Sequence, residues 1–202
     1  MNYYISDLHL GHANILKLDN RPFTSIEQHD HELIRRWNSV VTKDDTVYIL
    51  GDLCWKKENE WARIISQLKG KKVLIRGNHD PKKMSAKTKA LFVDIKDYKE
   101  IKDNGRTVIM CHYPIPFYKR SNNTNVFMLY GHVHTTYEWV QVAALTRLLQ
   151  QTAQTVAMGI KSDWYDASAD SVNKGQLYNV GAMMPWMNFT PRTLDQIIKE
   201  AY

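Results

Sequence analysis

Short apolar runs alternate along this chain with longer stretches of helical periodicity. Residues 2–6, 46–50, 72–76, 107–111, 126–130 and 176–180 are rich in Val, Ile, Leu, Met and Tyr and read as buried strands. Between the first two, residues 26–40 carry Ile26, Leu33, Ile34, Trp37 and Val40 at helical spacing, with Ser25 placed as an N-cap. Residues 58–68 repeat the pattern through Trp61, Ile64, Ile65 and Leu68 and stop before Gly70. A closing helix is expected over 193–202. Strands interleaved with helices predict a layered α/β architecture whose site lies on loops beyond the strand C-termini.

One segment departs from that rhythm. Residues 138–156 form a long helical pattern with Trp139, Val142, Leu145, Leu149, Ala153 and Val156 on one stripe, and a polar stretch follows. The reading is one domain over 1–202 with a helical insertion at about 138–175, its stripe facing the core.

Length and composition agree with this. The 202 residues are 44% hydrophobic and 24% charged, enough for a core that buries about 70% of the unfolded chain's surface. No apolar run approaches the ~20 residues of a membrane span, and the N-terminal run lacks the pattern of a secretory leader, so no membrane partner is expected. Two cysteines, Cys54 and Cys111, exclude a disulfide scaffold and a thiolate zinc site. They read as inert thiols in a reducing, cytoplasmic setting. A net charge of +6 is concentrated in Lys56–Lys57, in Lys69, Lys71 and Lys72, and in Lys82, Lys83, Lys87 and Lys89. This surplus favours anionic partners: a phosphorylated small molecule, a nucleotide or nucleic acid.

The candidate chemistry lies at the strand ends. Six of the eight histidines fall in clusters there: Asp7-Leu8-His9-Leu10-Gly11-His12, Gly77-Asn78-His79-Asp80, Cys111-His112 and Gly131-His132-Val133-His134, with Gly51-Asp52 as a fifth boundary. Asp7, His9, Asp52, Asn78, His112, His132 and His134 offer two carboxylates, four imidazoles and one amide. That oxygen and nitrogen mix suits Mn, Fe, Zn, Ni or Co and is too rich in histidine for a calcium cage. Seven ligands exceed one ion and suit two divalent ions sharing a carboxylate. Gly51, Gly77 and Gly131 are expected to let the backbone turn tightly so that the ligands project inward. His29 and His31, inside the first long helix, read as surface residues.

This ordered series, Asp-x-His, Gly-Asp, Gly-Asn-His-Asp, His and Gly-His-x-His, resembles the calcineurin-like metallophosphoesterases. Similarity extends to Arg21-Pro22-Phe23, Trp37-Asn38-Ser39-Val40, Tyr178 to Trp186 and Thr190 to Leu194, leaving out 138–175. The resemblance implies a four-layer α/β/β/α sandwich of two mixed sheets. It implies Asp7, His9 and His134 on a first metal, Asp52 bridging, and Asn78, His112 and His132 on a second. It also implies hydroxide attack on phosphorus in line, with His79 assisting the leaving group and Asp80 orienting the His79 ring. Manganese is the expected metal. His12, Arg76, Tyr113, Lys119 and Arg120 are candidate substrate contacts, the last three on the loop leaving His112. Tyr137, Trp164, Tyr165 and Trp186 are candidate walls of the cleft, and Asn179 a support for a ligand. The alternatives are a non-catalytic metal-binding scaffold on the same fold, and a nuclease or cyclic-nucleotide phosphodiesterase.

Overall fold

A computed structural model describes residues 1–159 and 171–201 of the chain. Two four-stranded sheets form its centre. The first has the order β1 (Asn2–Ile5), β2 (Thr46–Ile49), β3 (Lys71–Ile75) and β4 (Asp94–Lys96), every neighbouring pair parallel. An antiparallel bridge between Tyr4 and Arg192 makes this sheet mixed at its β1 edge. The second runs β5 (Tyr98–Asp103), β6 (Arg106–Cys111), β7 (Val126–Tyr130) and β8 (Leu177–Asn179), with β5 antiparallel and the other pairs parallel.

Alternation along the strands of the second sheet separates its two faces. Val108, Met110, Phe127, Leu129 and Tyr178 join the core shared with the first sheet. Ile109, Met128, Tyr130 and Leu177 turn to the opposite side and meet Trp139, Val142 and Leu149 of α5 (Tyr137–Ala157). The outer layer of the first sheet is built by α2 (Ile26–Val40) and α3 (Glu58–Ile65), which bury Leu33, Trp37, Trp61, Ile64 and Ile65. Ser25 caps α2 by accepting from the Gln28 N–H at 3.2 Å, as its position in the sequence predicts. The result is helix, sheet, sheet, helix. Shorter helices α1 (Ile15–Leu18) and α4 (Ala86–Lys89) lie in connections, and α6 (Leu194–Glu200) closes the chain with a capping box between Thr193 and Gln196.

The topology fixes where the loops go. Parallel strands end at the same edge of a sheet, so the segments after β1, β2 and β3 emerge together, and so do those after β6, β7 and β8. The two edges are joined directly: Ser6 N–H donates to Val180 O and Ala182 N–H to Ser6 O, each at 2.8 Å. Among the described residues, no helix is long and apolar enough to cross a membrane.

Trp37 and Trp61 are fully buried, and each indole N–H finds a backbone carbonyl, Lys69 O at 3.0 Å and Lys56 O at 3.1 Å. Trp37→Ala removes both the packing and a satisfied donor, and is expected to lower unfolding free energy by about 3–5 kcal/mol. Urea denaturation checks this through a reduced midpoint at unchanged slope. A loss under ~1 kcal/mol contradicts the placement of α2 against the first sheet.

Candidate metal centre

The loop after each central strand turns sharply to aim a side chain at one point. Asp7, His9, Asp52, His132 and His134 all have positive φ, between 47° and 71°. A non-glycine residue in that region costs about 1–2 kcal/mol, and five in one place require a framework that holds them. Part of that framework is backbone: Asp7 N–H donates to Gly51 O at 3.0 Å and His9 N–H to Asp52 O at 2.9 Å. Part is Asp80, expected to orient the His79 ring. Asp80 is instead buried and accepts from the N–H groups of Asp52, Leu53 and Gly77 at 3.0, 3.1 and 2.8 Å, so it braces the Asp52 turn. Of Gly51, Gly77 and Gly131, only Gly51 turns the chain through a left-handed residue, at φ +93°. Gly77 and Gly131 are needed for room: a Cβ on Gly77 would collide with Asp52 Oδ1, and one on Gly131 with Ser6 Oγ.

Asp7, His9, Asp52 and His134 bring one ligand atom each to within 4.8 Å of the others. His9 Nε2 lies 3.3 Å from His134 Nε2, and His134 Nε2 lies 3.7 Å from Asp7 Oδ1. A second group adjoins it, with Asn78 Oδ1 at 2.9 Å from both His112 Nε2 and His132 Nδ1. Asp52 Oδ2 sits between the groups, 3.7 Å from His9 Nε2, 3.6 Å from His112 Nε2 and 3.9 Å from His79 Nε2.

The donor chemistry fits a divalent cation. His112 Nδ1 faces Leu50 O at 2.7 Å and must carry the proton, which leaves the Nε2 lone pair aimed at Asn78 Oδ1 and Asp52 Oδ2. His134 Nδ1 lies 2.8 and 2.9 Å from the two Asp19 carboxylate oxygens and donates to them, so its Nε2 lone pair faces His9 and Asp7. Burial raises the Asp7 carboxyl above its ordinary range, against the pull of His134 and His112. Burial, joined by the charges of His134 and Arg21, drives His9 far below its ordinary value, into the neutral form that ligates. Burial also acts to lower His134, but Asp19 and Asp7 outweigh it and the ring is raised. The field that attracts a proton to that ring attracts a metal ion as well.

Asp19 and Arg21 had no assigned role in the sequence. Arg21 is buried: it donates to Asp7 O at 2.8 Å and Leu8 O at 3.0 Å and contacts Asp19 Oδ2 at 2.8 Å. It therefore holds the first ligand turn and the carboxylate behind His134 at once. His29, expected on the surface, is fully buried with Nε2 at 2.9 Å from Arg21 Nη1 and Nδ1 at 2.8 Å from Asp30. The α2 pattern could not show this, because an imidazole buried against one guanidinium has no periodic signature. His31 is exposed, as expected.

The remaining candidates divide. His12 stacks on Trp55 with centroids 3.9 Å apart, and Trp55 lies 4.6 Å from the His79 ring. Tyr113 meets His132 edge-on at 4.5 Å. Arg76 is held by Asp97 through two contacts of 2.7 Å. Lys119 and Arg120 are not brought to the cluster by any contact among the described residues: Lys119 pairs with Glu100 at 3.1 Å, and Tyr118 anchors their loop in the second core. Trp186 donates to Asn179 O at 2.8 Å and packs at the core margin, while Tyr137 is exposed at the start of α5. Asn179 does support a ligand loop, donating to His134 O at 3.4 Å. Trp164 and Tyr165 lie outside the described residues. Burial pushes the Cys54 thiol up to about 12 and raises Cys111, in keeping with inert thiols.

Replacing Asp19 by Asn keeps its shape and removes its charge. Divalent-metal affinity, measured by calorimetry, is expected to fall about 10- to 100-fold with the thermal midpoint nearly unchanged. An unaltered affinity would detach Asp19 from the cluster.

The comparisons with known proteins agree with this geometry. The family model for calcineurin-like phosphoesterases matches residues 3–183. An uncharacterized protein of Methanocaldococcus jannaschii is 36% identical over 137 residues, 67% of this chain and 70% of that protein. The gene 66 protein of Mycobacterium phage L5 is 43% identical over 81 residues, 39% of each chain. A crystal structure of a protein of unknown function from Aquifex aeolicus superposes with a TM-score of 0.63 at 27% identity, covering 98% of both chains. Matched over nearly its whole length and carrying the strand-end donor set, the chain belongs to the calcineurin-like phosphoesterase family.

Proposed function

We propose that this chain hydrolyses phosphate esters using two divalent cations, manganese in the first instance, shared through Asp52. One observation carries the reading: Asp52 Oδ2 stands between His9 Nε2 at 3.7 Å and His112 Nε2 at 3.6 Å, each belonging to a different cluster of donors. Asp7, His9 and His134 would hold the first cation, and Asn78, His112 and His132 the second. When bound, such a pair acidifies a water and neutralises charge on the phosphoryl oxygens.

The chain's own groups do the rest. His112 and His134 are fixed in the ligating orientation by Leu50 O and Asp19. The His79 N–H donates to Asp52 Oδ1 at 3.0 Å, which locks the shared carboxylate. Its imidazole is 43% exposed, faces the cluster through Nε2, and is free to give a proton to the departing oxygen. Trp55, 45% exposed beside His79, supplies an apolar wall for the leaving group. The substrate is a phosphorylated small molecule or nucleotide. The two free thiols suit a cytoplasmic setting.

Purified protein loaded with manganese is expected to hydrolyse bis-p-nitrophenyl phosphate or p-nitrophenyl phosphate and to lose that activity with chelator. His79→Asn should keep its metal content and lower kcat about 10²- to 10⁴-fold. Asp52→Asn should lose metal as measured by elemental analysis. No turnover with Mn, Ni, Co or Zn refutes the enzyme, and equal metal loss in both variants refutes the division of roles.

A further inference from the structure

Two hollows lead away from Asn78, and their charges are unevenly settled. The nearer, about 560 Å³, is lined by Asn78, Tyr113, Arg76 and Lys82 among others; the farther, about 660 Å³, by Arg76, Lys82, Lys83 and Lys89. Arg76 and Lys82 belong to both, so the hollows adjoin. Each is large enough to hold a nucleotide unit. The carboxylates that line them are already engaged. Asp80 accepts three backbone N–H groups, Asp97 is paired with Arg76 at 2.7 Å, and Asp94 with Lys99 at 2.6 Å and Lys96 at 3.7 Å. Lys82, Lys83 and Lys89 are exposed and have no ion pair among the described residues. Three uncompensated cations therefore line a trough that begins at the second group of donors. At its inner end Tyr113, 46% exposed, offers an aromatic face while its other contacts fix it against His132 and His112.

A cationic trough with an aromatic platform at one end is a surface for a polyanion with stackable bases. We infer that this trough binds a single-stranded oligonucleotide, with one phosphodiester at the donor cluster, a base on Tyr113 and the flanking phosphates on Lys82, Lys83 and Lys89. A duplex keeps its bases stacked on each other and has none to lay on Tyr113. The inference rests on the phosphoesterase reading and names the substrate class for it.

The test uses manganese-loaded protein and a fluorescein-labelled, phosphorothioate-linked 12-mer that resists cleavage, read by anisotropy across a salt series, beside turnover of bis-p-nitrophenyl phosphate. The Lys83→Ala, Lys89→Ala double variant is expected to bind the 12-mer at least tenfold more weakly. The slope of log affinity against log salt should fall by about 1.4, the share of two phosphate contacts to a single strand. Its turnover of the small diester should stay within twofold of the parent. Tyr113→Ala should weaken the 12-mer roughly 5- to 150-fold without changing that slope. Failure to bind the 12-mer while the small diester is hydrolysed overturns the inference and leaves the phosphoesterase standing. Equal losses on both substrates in the double variant, or equal affinity for a duplex of the same length, also overturn it. Binding of the 12-mer with no turnover of any ester overturns the phosphoesterase instead.

Discussion

The structure depends on holding several electron-rich groups nose to nose. His9 Nε2 and His134 Nε2 approach to 3.3 Å, with the carboxylates of Asp7 and Asp52 beside them, in a buried setting where the like charges of the two carboxylates are poorly screened. These side chains are held by backbone that cannot relax, because each sits on a left-handed residue pinned between the ends of parallel strands. Positive charge arriving among the donors would offset the crowding of the carboxylates, while the strained turns stay as the fold sets them and keep the site preorganised for a cation.

The main elements could be read from the sequence wherever burial writes a pattern. The central strands and the helices α2, α3 and α5 were legible, each by hydrophobic spacing. β4 and β5 were not. Both are edge strands, and β5 reads Tyr-Lys-Glu-Ile-Lys-Asp, with Glu100 and Lys102 on the side that meets water and only Ile101 as an aliphatic residue. An edge protected by lysines hides from a search for apolar runs. The same contrast divides the site. Residues that project from strand ends after glycine were visible as motifs, and the structure gathers them. Asp19 and Arg21 were not visible as partners, because their contacts with His134, Asp7 and Leu8 are made across a loop that has no period.

Arg21 shows why such hidden residues matter. A buried guanidinium is expensive to desolvate, and burial does lower its pKa, yet nearly every polar direction it has is met by a carbonyl, a carboxylate or an imidazole. The cost is offset by organising three separate elements: the turn after β1, the Asp19 loop and the start of α2. A lysine in its place would present one point of charge and could not span them.

The division between rigid floor and open rim follows from this. The ligand loops are buried and cross-braced, so the distances among the donors are set by the fold. Tyr113, Trp55 and His79 stand at the rim, each between 43% and 46% exposed, and each packs on a ligand histidine. Substitutions at the rim therefore change what is bound with little effect on the metal geometry, whereas substitutions in the floor must disturb both. A fold that fixes its donor residues at the junction of two sheets and leaves the surrounding loops free can keep one reaction while changing substrates. In this chain the freedom is spent asymmetrically. The His79 imidazole and the Trp55 indole lie beside His9 of the first donor group, and the hollow that holds the lysines opens on the side of Asn78, so the two flanks of the donor cluster offer different chemistry.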